Sequence, residues 1–281
     1  MSTDRKLVLV AGATGRLGAV VEVLLERGHA VRAMTRDPDS AAAERLRDLG
    51  AELAFGDFDQ PASIKSAAAG VDAVFATGTA HQAGPDGELR HGRNLAEAAA
   101  AAGVPHLVYS SGDGADADSP VPLFRAKFAV EERIRSLPIR STILAPVYFM
   151  ENLFNPWNHA ALEAGVFPSP IAVDVPLQQI ATSDLLNFAA LAIERPSEFA
   201  DRRIALASDE VSAIEAARAL DLRAEHLPPE APGLRALFDW LERDGHHVDI
   251  GVLHDRYPEV GWHDYASWAA GIMPACHSSP A

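Results

Sequence analysis

Cysteine is almost absent. Cys276 is the only one in 281 residues, so no disulfide can form within the chain and a reducing compartment is expected. Basic side chains are scarce as well, 24 Lys and Arg against 39 Asp and Glu, for a formal net charge of -15. That balance argues against an extended surface for nucleic acid or an anionic membrane, while leaving room for a pocket that holds one phosphate. No apolar run approaches the roughly 18 residues of a membrane span. The run from Leu7 to Ala11, behind Arg5 and Lys6, is far too short for the apolar segment of a secretion signal, so the cytoplasm is the expected location. Neither a Gly-Lys-Ser/Thr after a glycine loop nor a Gly-x-Ser-x-Gly is present, which removes P-loop and serine-hydrolase chemistry. Of the eleven histidines, His246, His247 and His254 lack the H-E-x-x-H arrangement, and no metal site is expected. The acidic run Asp113, Asp116, Asp118 has its glycine and glutamate wrongly placed for a calcium loop.

What the chain does have is apolar residues, 48% of the total beside 22% charged, which is enough for a packed core. Over the first 145 residues short Val- and Leu-rich runs alternate with longer segments of Ala, Leu and Arg. This alternation predicts buried parallel strands and helices in turn. Strands are expected at 7–11, 30–35, 51–55, 72–77, 106–110 and 140–144. Helices are expected at 15–27, 61–69, 88–102 and 122–136, and from Asp37-Pro38 to Gly50 with Asp37 as N-cap. Six such steps on short connections imply a doubly wound parallel sheet, the Rossmann architecture. After Pro146 prolines and aromatics thicken and the alternation is lost. A strand near 171–175, a helix over 184–194 and a strand near 203–207 are expected to add to the sheet, and the chain from about 208 reads as mainly helical. The expected organisation is a nucleotide-binding domain over residues 1–150 and a smaller, mainly helical substrate lobe over 151–281.

The first strand runs into Gly12-Ala-Thr-Gly15-Arg-Leu-Gly18 and then a helix. Glycines permit a tight turn and close approach of backbone to a pyrophosphate, and the helix start offers free N–H groups and a positive dipole end. Gly12, Thr14, Gly15, Arg16, Leu17 and Gly18 are therefore candidate dinucleotide contacts. Where an NAD-preferring protein carries an acidic residue for the ribose 2′-OH, this chain has Thr35 and then Arg36. A guanidinium suits a 2′-phosphate by bidentate pairing, so NADP(H) is the expected cofactor. Asp57 and Phe58 are expected at the adenine, and Thr77, Gly78 and Thr79 near the riboses.

The sequence resembles the NmrA-like branch of the atypical short-chain dehydrogenases/reductases. The likeness is carried by GATGRLG at 12–18, TRDP at 35–38, GDFDQPASI at 56–64, LVYSSG at 107–112, Lys127 with VEERIRS behind it, and APVYFMEN at 145–152. It is looser over 181–196 and 248–261. This resemblance implies an NAD(P)-binding fold but not one reaction, since relatives include reductases of quinones, carbonyls and alkenes as well as NADP-sensing regulators. It also implies a Ser, a Tyr and a Lys, with Tyr-x-x-x-Lys on one helix face and the tyrosine as proton donor. Lys127, Ser110 and Ser111 are present as catalytic candidates, but Leu123 stands where the tyrosine belongs. Lys127 and Pro146 join the expected cofactor contacts. Phe124, Tyr148, Phe149, Phe154 and Trp157, with His81, form the candidate pocket for a flat apolar substrate. The expected function is NADPH-dependent reduction of a small organic acceptor (quinone, enone, carbonyl or imine), which takes its proton from solvent or from Lys127. The alternative is a non-catalytic NADP(H) sensor. The expected partner is a small-molecule substrate, and a homodimer through a long helix is compatible with the fold.

Overall fold

The computed structural model describes residues 5–116, 118–228 and 232–276. Strand β1 (Leu7–Ala11) is wholly apolar, as a strand covered on both faces must be. A turn of 3-10 helix at Arg16–Ala19 continues into α1 (Val20–Glu26). Next come β2 (Ala30–Thr35), α2 (Ala41–Asp48), β3 (Glu52–Phe55), α3 (Pro61–Ala67), β4 (Ala73–Thr77) and α4 (Ala80–Ala101). They are followed by β5 (Leu107–Ser110), α5 (Pro122–Arg135), β6 (Ser141–Pro146), β7 (Tyr148–Phe149), α6 (His159–Glu163), β8 (Val166–Ser169) and β9 (Pro176–Ile180). The remainder comprises α7 (Thr182–Glu194), α8 (Pro196–Phe199), β10 (Arg202–Leu206), β11 (Asp209–Ser212), α9 (Ala213–Ala219), β12 (Arg223–His226), α10 (Pro232–Arg243), α11 (Ile250–Arg256) and α12 (Tyr265–Cys276). No described helix is long and apolar enough to cross a membrane.

The main sheet has seven strands in the order β10-β6-β5-β4-β1-β2-β3, and β1 to β6 pair in parallel. The doubly wound sheet read from the alternation is therefore present. Its strand order reverses between β1 and β4, and ligands of such sheets bind in the crevice at the carboxyl ends beside that reversal.

By its contacts the chain divides into two compact units, residues 1–145 with 186–204, and residues 146–185 with 205–281. In the first, Leu9, Val74, Leu107 and Tyr109 from the strands pack against Ile64, Ala99, Val130 and Ile134 from the helices. The second holds a three-stranded sheet, β11-β9-β7, and a two-stranded pair, β12-β8. One of its cores joins Met150, Phe167, Ala216, Tyr265 and Trp268, and another joins Ile171, Leu177, Phe238 and Leu241.

Three local expectations are corrected. Asp37 does not cap α2: its carboxylate accepts from the Asp39 N–H at 3.1 Å in a tight turn, and Ser40 caps the helix by accepting from Ala43 at 3.3 Å. A short side chain that can close its own turn competes with the helix start in this way. The helix expected from Glu88 begins earlier, at Ala80, and is kinked at Gly84, where φ is 66°. The continuous run restarts at Pro85, whose fixed φ suits a first helical turn, and Glu88 lies just inside it. Residues 171–175 are not a strand and add nothing to the main sheet. Pro170 and Pro176 frame a turn closed by Val175 N–H on Ala172 O at 3.1 Å, and Ile171 is buried by packing on Leu177 and Phe238.

Candidate functional site

The turn after β1 is built so that only glycine fits at its key positions. Gly12 has φ of +81°, and a Cβ on it would lie 3.1 Å from Thr77 Cγ2, so the ends of β1 and β4 approach closely. A Cβ on Gly18 would overlap the backbone carbonyl of Ala13, which clamps the helix start against the strand end. Gly15 N–H closes the turn on Gly12 O at 2.9 Å. This is a backbone cradle open to a pyrophosphate, followed by a helix N-terminus. Thr14, Gly15 and Arg16 are exposed and Leu17 is buried. At the end of β2, Arg36 is exposed and makes no hydrogen bond or ion pair to any described residue. Asp57 is engaged locally, accepting from Asp59 N–H at 3.0 Å, and Phe58 stacks on His91 with ring centres 5.6 Å apart.

Beside this cradle lies a charged group that sequence reading missed. Glu88 points from α4 beneath the loop after β4 with no exposed side-chain surface. Its carboxylate accepts from Lys127 Nζ at 2.8 Å, from Tyr109 Oη at 3.1 Å and from the Thr79 N–H at 2.6 Å. Gly78 cannot carry a side chain, because a Cβ there would overlap the Glu88 carboxylate. Burial alone would raise the Glu88 pKa, but the Lys127 charge and the hydrogen bonds from Lys127, Thr79 and Tyr109 outweigh it and hold the carboxyl below its ordinary value. Burial, and then the charge of Glu88, push the Tyr109 phenol well above its ordinary value, so it stays a neutral donor. Lys127 is thus fixed by a buried carboxylate that also ties down the Thr77–Thr79 loop. No local pattern announces this: Glu88 and Lys127 are 39 residues apart, and Tyr109 sits in a strand that reads as plain core.

The two serines part company. Ser111 donates its hydroxyl to Glu131 at 2.6 Å. Glu131 has no exposed side-chain surface and also holds Arg135 at 2.7 Å and Arg203 at 3.1 Å. Ser110, the last residue of β5 and the register partner of Thr77, makes no side-chain hydrogen bond to the described residues. Both serines are buried. Pro146 is the last residue of β6.

The aromatics expected at the substrate pocket are divided between the two units. Phe124 is buried in α5 of the first unit, whereas the other four aromatics belong to the second. Phe154 packs on Trp268 with ring centres 6.0 Å apart, Tyr148 on Phe238 at 6.2 Å, and Trp157 is 60% exposed. Phe149 forms β7 with Tyr148, half-buried. His81 falls in the first turn of α4, and its side chain lies outside the described residues. Tyr148 lines a cavity of the second unit.

The family model of the NmrA-like family matches residues 4–226. An NAD(P)H azoreductase of Xenophilus azovorans is 32% identical over 189 residues, 67% of this chain. That match is 62% of the azoreductase's own length, and two further curated relatives are spanned over 46% and 60% of theirs. Among solved structures, NmrA, a negative transcriptional regulator in complex with NAD, aligns over 96% of both chains with a TM-score of 0.75 and 25% identity. The NADPH-dependent quinone oxidoreductase QOR2 of Escherichia coli, complexed with NADPH, has the same fold: TM-score 0.77, 23% identity, 95% of this chain and 99% of that one. The glycine turn, the reversal of strand order and the family match over residues 4–226 agree, and the chain belongs to the NmrA-like family.

Proposed function

We propose that the chain is an NADPH-dependent reductase of a small conjugated acceptor: a quinone, enone, carbonyl or imine. The observation that carries this reading is the side-chain-free cradle of Gly12 and Gly18 at the strand-order reversal, with the ammonium of Lys127 held by Glu88 at the neighbouring strand end. Gly12, Thr14, Gly15, Arg16, Leu17 and Gly18 would take the pyrophosphate, and exposed Arg36 the 2′-phosphate. When bound, NADPH supplies a hydride. Lys127 binds the ribose hydroxyls, and Glu88 keeps its Nζ from swinging away. Ser110, whose hydroxyl is engaged by no described residue, polarises the acceptor. Ser111 does not, because its proton is given to Glu131. With Leu123 in place of the tyrosine, the acceptor draws its proton from solvent, which suits conjugated acceptors better than plain ketones. Support also comes from the named activities of relatives, an NAD(P)H azoreductase and an NADPH-dependent quinone oxidoreductase.

The test is NADPH oxidation with a panel of quinones, enones, cyclic imines and azo dyes. Turnover that Lys127→Ala abolishes, with NADPH bound more tightly than NADH, is the expected result. Arg36→Ala should erase that preference by weakening NADPH about ten- to a hundredfold, the worth of one charge-assisted phosphate contact. Equal affinity of the unaltered protein for the two cofactors would refute the role of Arg36. Cofactor binding without turnover across the panel would refute the reductase.

A further inference from the structure

The second unit has a cavity of its own. Counting its open mouth it encloses about 450 Å³, and its wall is mostly apolar, with Met150, Leu153, Phe167, Ile171 and Leu177 among the lining residues. Five side chains with polar atoms interrupt that wall. Asn158 donates to Asn152 O and Leu153 O, Ser169 donates to Ile171 O, and Tyr148 packs on Phe238. That leaves Gln179 from β9 and Tyr265 from the start of α12. Both are more than nine-tenths buried, at 6% and 2% exposure. The Tyr265 hydroxyl has no hydrogen-bond partner among the described residues. Gln179 makes no side-chain hydrogen bond to any described residue either.

This is unusual, because buried polar groups are almost always paired. The contrast with the next residue is instructive. Gln178 faces the other side of β9, and its amide is fully used: Nε2 donates to Glu210 at 2.9 Å and to Val248 O at 3.0 Å, and Oε1 accepts from Val248 N–H at 2.8 Å. A buried hydroxyl without a described partner and an amide that no described residue engages, set in a wall of apolar and polar side chains, suit a molecule with an apolar body and a polar edge. The Tyr265 phenol is pushed above its ordinary value by burial, and then by Tyr148 and Glu151, so it can only be a neutral donor or acceptor there.

We propose that this cavity binds a flat conjugated carbonyl compound of one or two fused rings, its oxygen accepting from the Tyr265 hydroxyl and its edge meeting the Gln179 amide. A phenol offers its proton to a carbonyl oxygen, and the apolar side chains of the wall cover the ring faces. In taking the ligand to be of the acceptor class, the proposal rests on the reductase reading above, but the binding can be tested without turnover.

The probe is 2-methyl-1,4-naphthoquinone, titrated calorimetrically into the full chain with NADP+ present so that no reduction occurs. Wild type, Tyr265→Phe and Gln179→Met are compared, with a thermal melt of each. Binding to the wild type that weakens about tenfold in Tyr265→Phe, as for one lost hydrogen bond, is the expected result. The melt of Tyr265→Phe should be unchanged or higher, because the hydroxyl removed has no partner among the described residues. Gln179→Met, which keeps length and loses the amide, should weaken binding by a similar factor. No binding to the wild type, or an affinity that neither substitution changes, overturns the proposal. Where the naphthoquinone is reduced with a KM that neither variant moves, the cavity fails and the reductase stands. Where it binds through Tyr265 but nothing in the panel is reduced, the reductase fails and the cavity stands.

Discussion

The substitution Glu88→Gln tests the centre of the first unit. Glu88 accepts three hydrogen bonds, two at Oε1 from Lys127 and Tyr109 and one at Oε2 from the Thr79 N–H. Glutamine has nearly the same shape but only one acceptor oxygen. If that oxygen faces Lys127 and Tyr109, the amide NH2 is driven against the Thr79 N–H, donor to donor. If it faces Thr79, Lys127 loses its anion and meets another donor. Removing one member of a fully buried pair costs about 3–5 kcal/mol, but the Lys127 side chain is 13% exposed and can recover some hydration. We expect Glu88→Gln to lose about 3 kcal/mol, which at about 2–4 °C per kcal/mol lowers the melting temperature by about 6–12 °C. Lys127→Met should cost about 2 kcal/mol, because the carboxylate keeps Thr79 and Tyr109. In the double variant the pair is absent from both sides, so the losses should fall short of additive by about 1.5–2 kcal/mol in a thermal-unfolding cycle. The acid side gives a second check. The folded pKa of Glu88 is depressed, so its contribution is complete above the ordinary value of 4.5 and is lost as the pH falls through the folded value. Glu88→Gln should lack that limb. Additivity of the two single losses within about 0.5 kcal/mol would refute the pairing and with it the fixing of Lys127.

Three further outcomes follow from other contacts. Gly18→Ala forces a methyl into the Ala13 carbonyl, so it should cost about 3 kcal/mol in unfolding and weaken NADPH by tenfold or more; a normal melt with normal binding would remove the steric argument. Ser111→Ala should lower stability by about 1–2 kcal/mol through the loss of its bond to buried Glu131 yet leave kcat alone, while Ser110→Ala should lower kcat and spare stability; the reverse pattern would exchange the two serines. His106 is buried and its pKa is lowered to about 4 from 6.5, chiefly by burial. Thr142 gives its proton to Phe199 O, so His106 Nε2 donates to Thr142 Oγ1, and the unpartnered Nδ1 would be the atom to protonate. The unfolded chain therefore binds more protons between about pH 6.5 and 4, and stability should fall by about 3 kcal/mol as the pH drops through that window. His106→Gln should flatten the decline, and an unchanged slope in acid unfolding would refute the assignment.

The sequence alone determined the parallel sheet, because a strand buried on both faces must be written in Val, Leu and Ala, and those runs return at regular intervals from Leu7 to Leu144. It also determined the glycine turn after β1, since Gly12 needs a positive φ and Gly18 admits no Cβ, demands that only glycine meets and that are therefore written as glycine. The lack of a tyrosine four residues before Lys127 was equally plain. Tertiary structure alone decided how the charges and hydroxyls are used. Neighbouring serines look equivalent in a string, yet backbone alternation turns Ser111 toward Glu131 and leaves Ser110 without a described partner. Glu88 was invisible because its partners come from three other segments, Thr79, Tyr109 and Lys127. Residues 171–175 looked like a strand because burial by packing in a turn and burial in a sheet leave the same apolar signature over so short a run. The unpaired hydroxyl of Tyr265 could not be read at all, since a missing partner is a fact about neighbours in space, and only the folded chain supplies those.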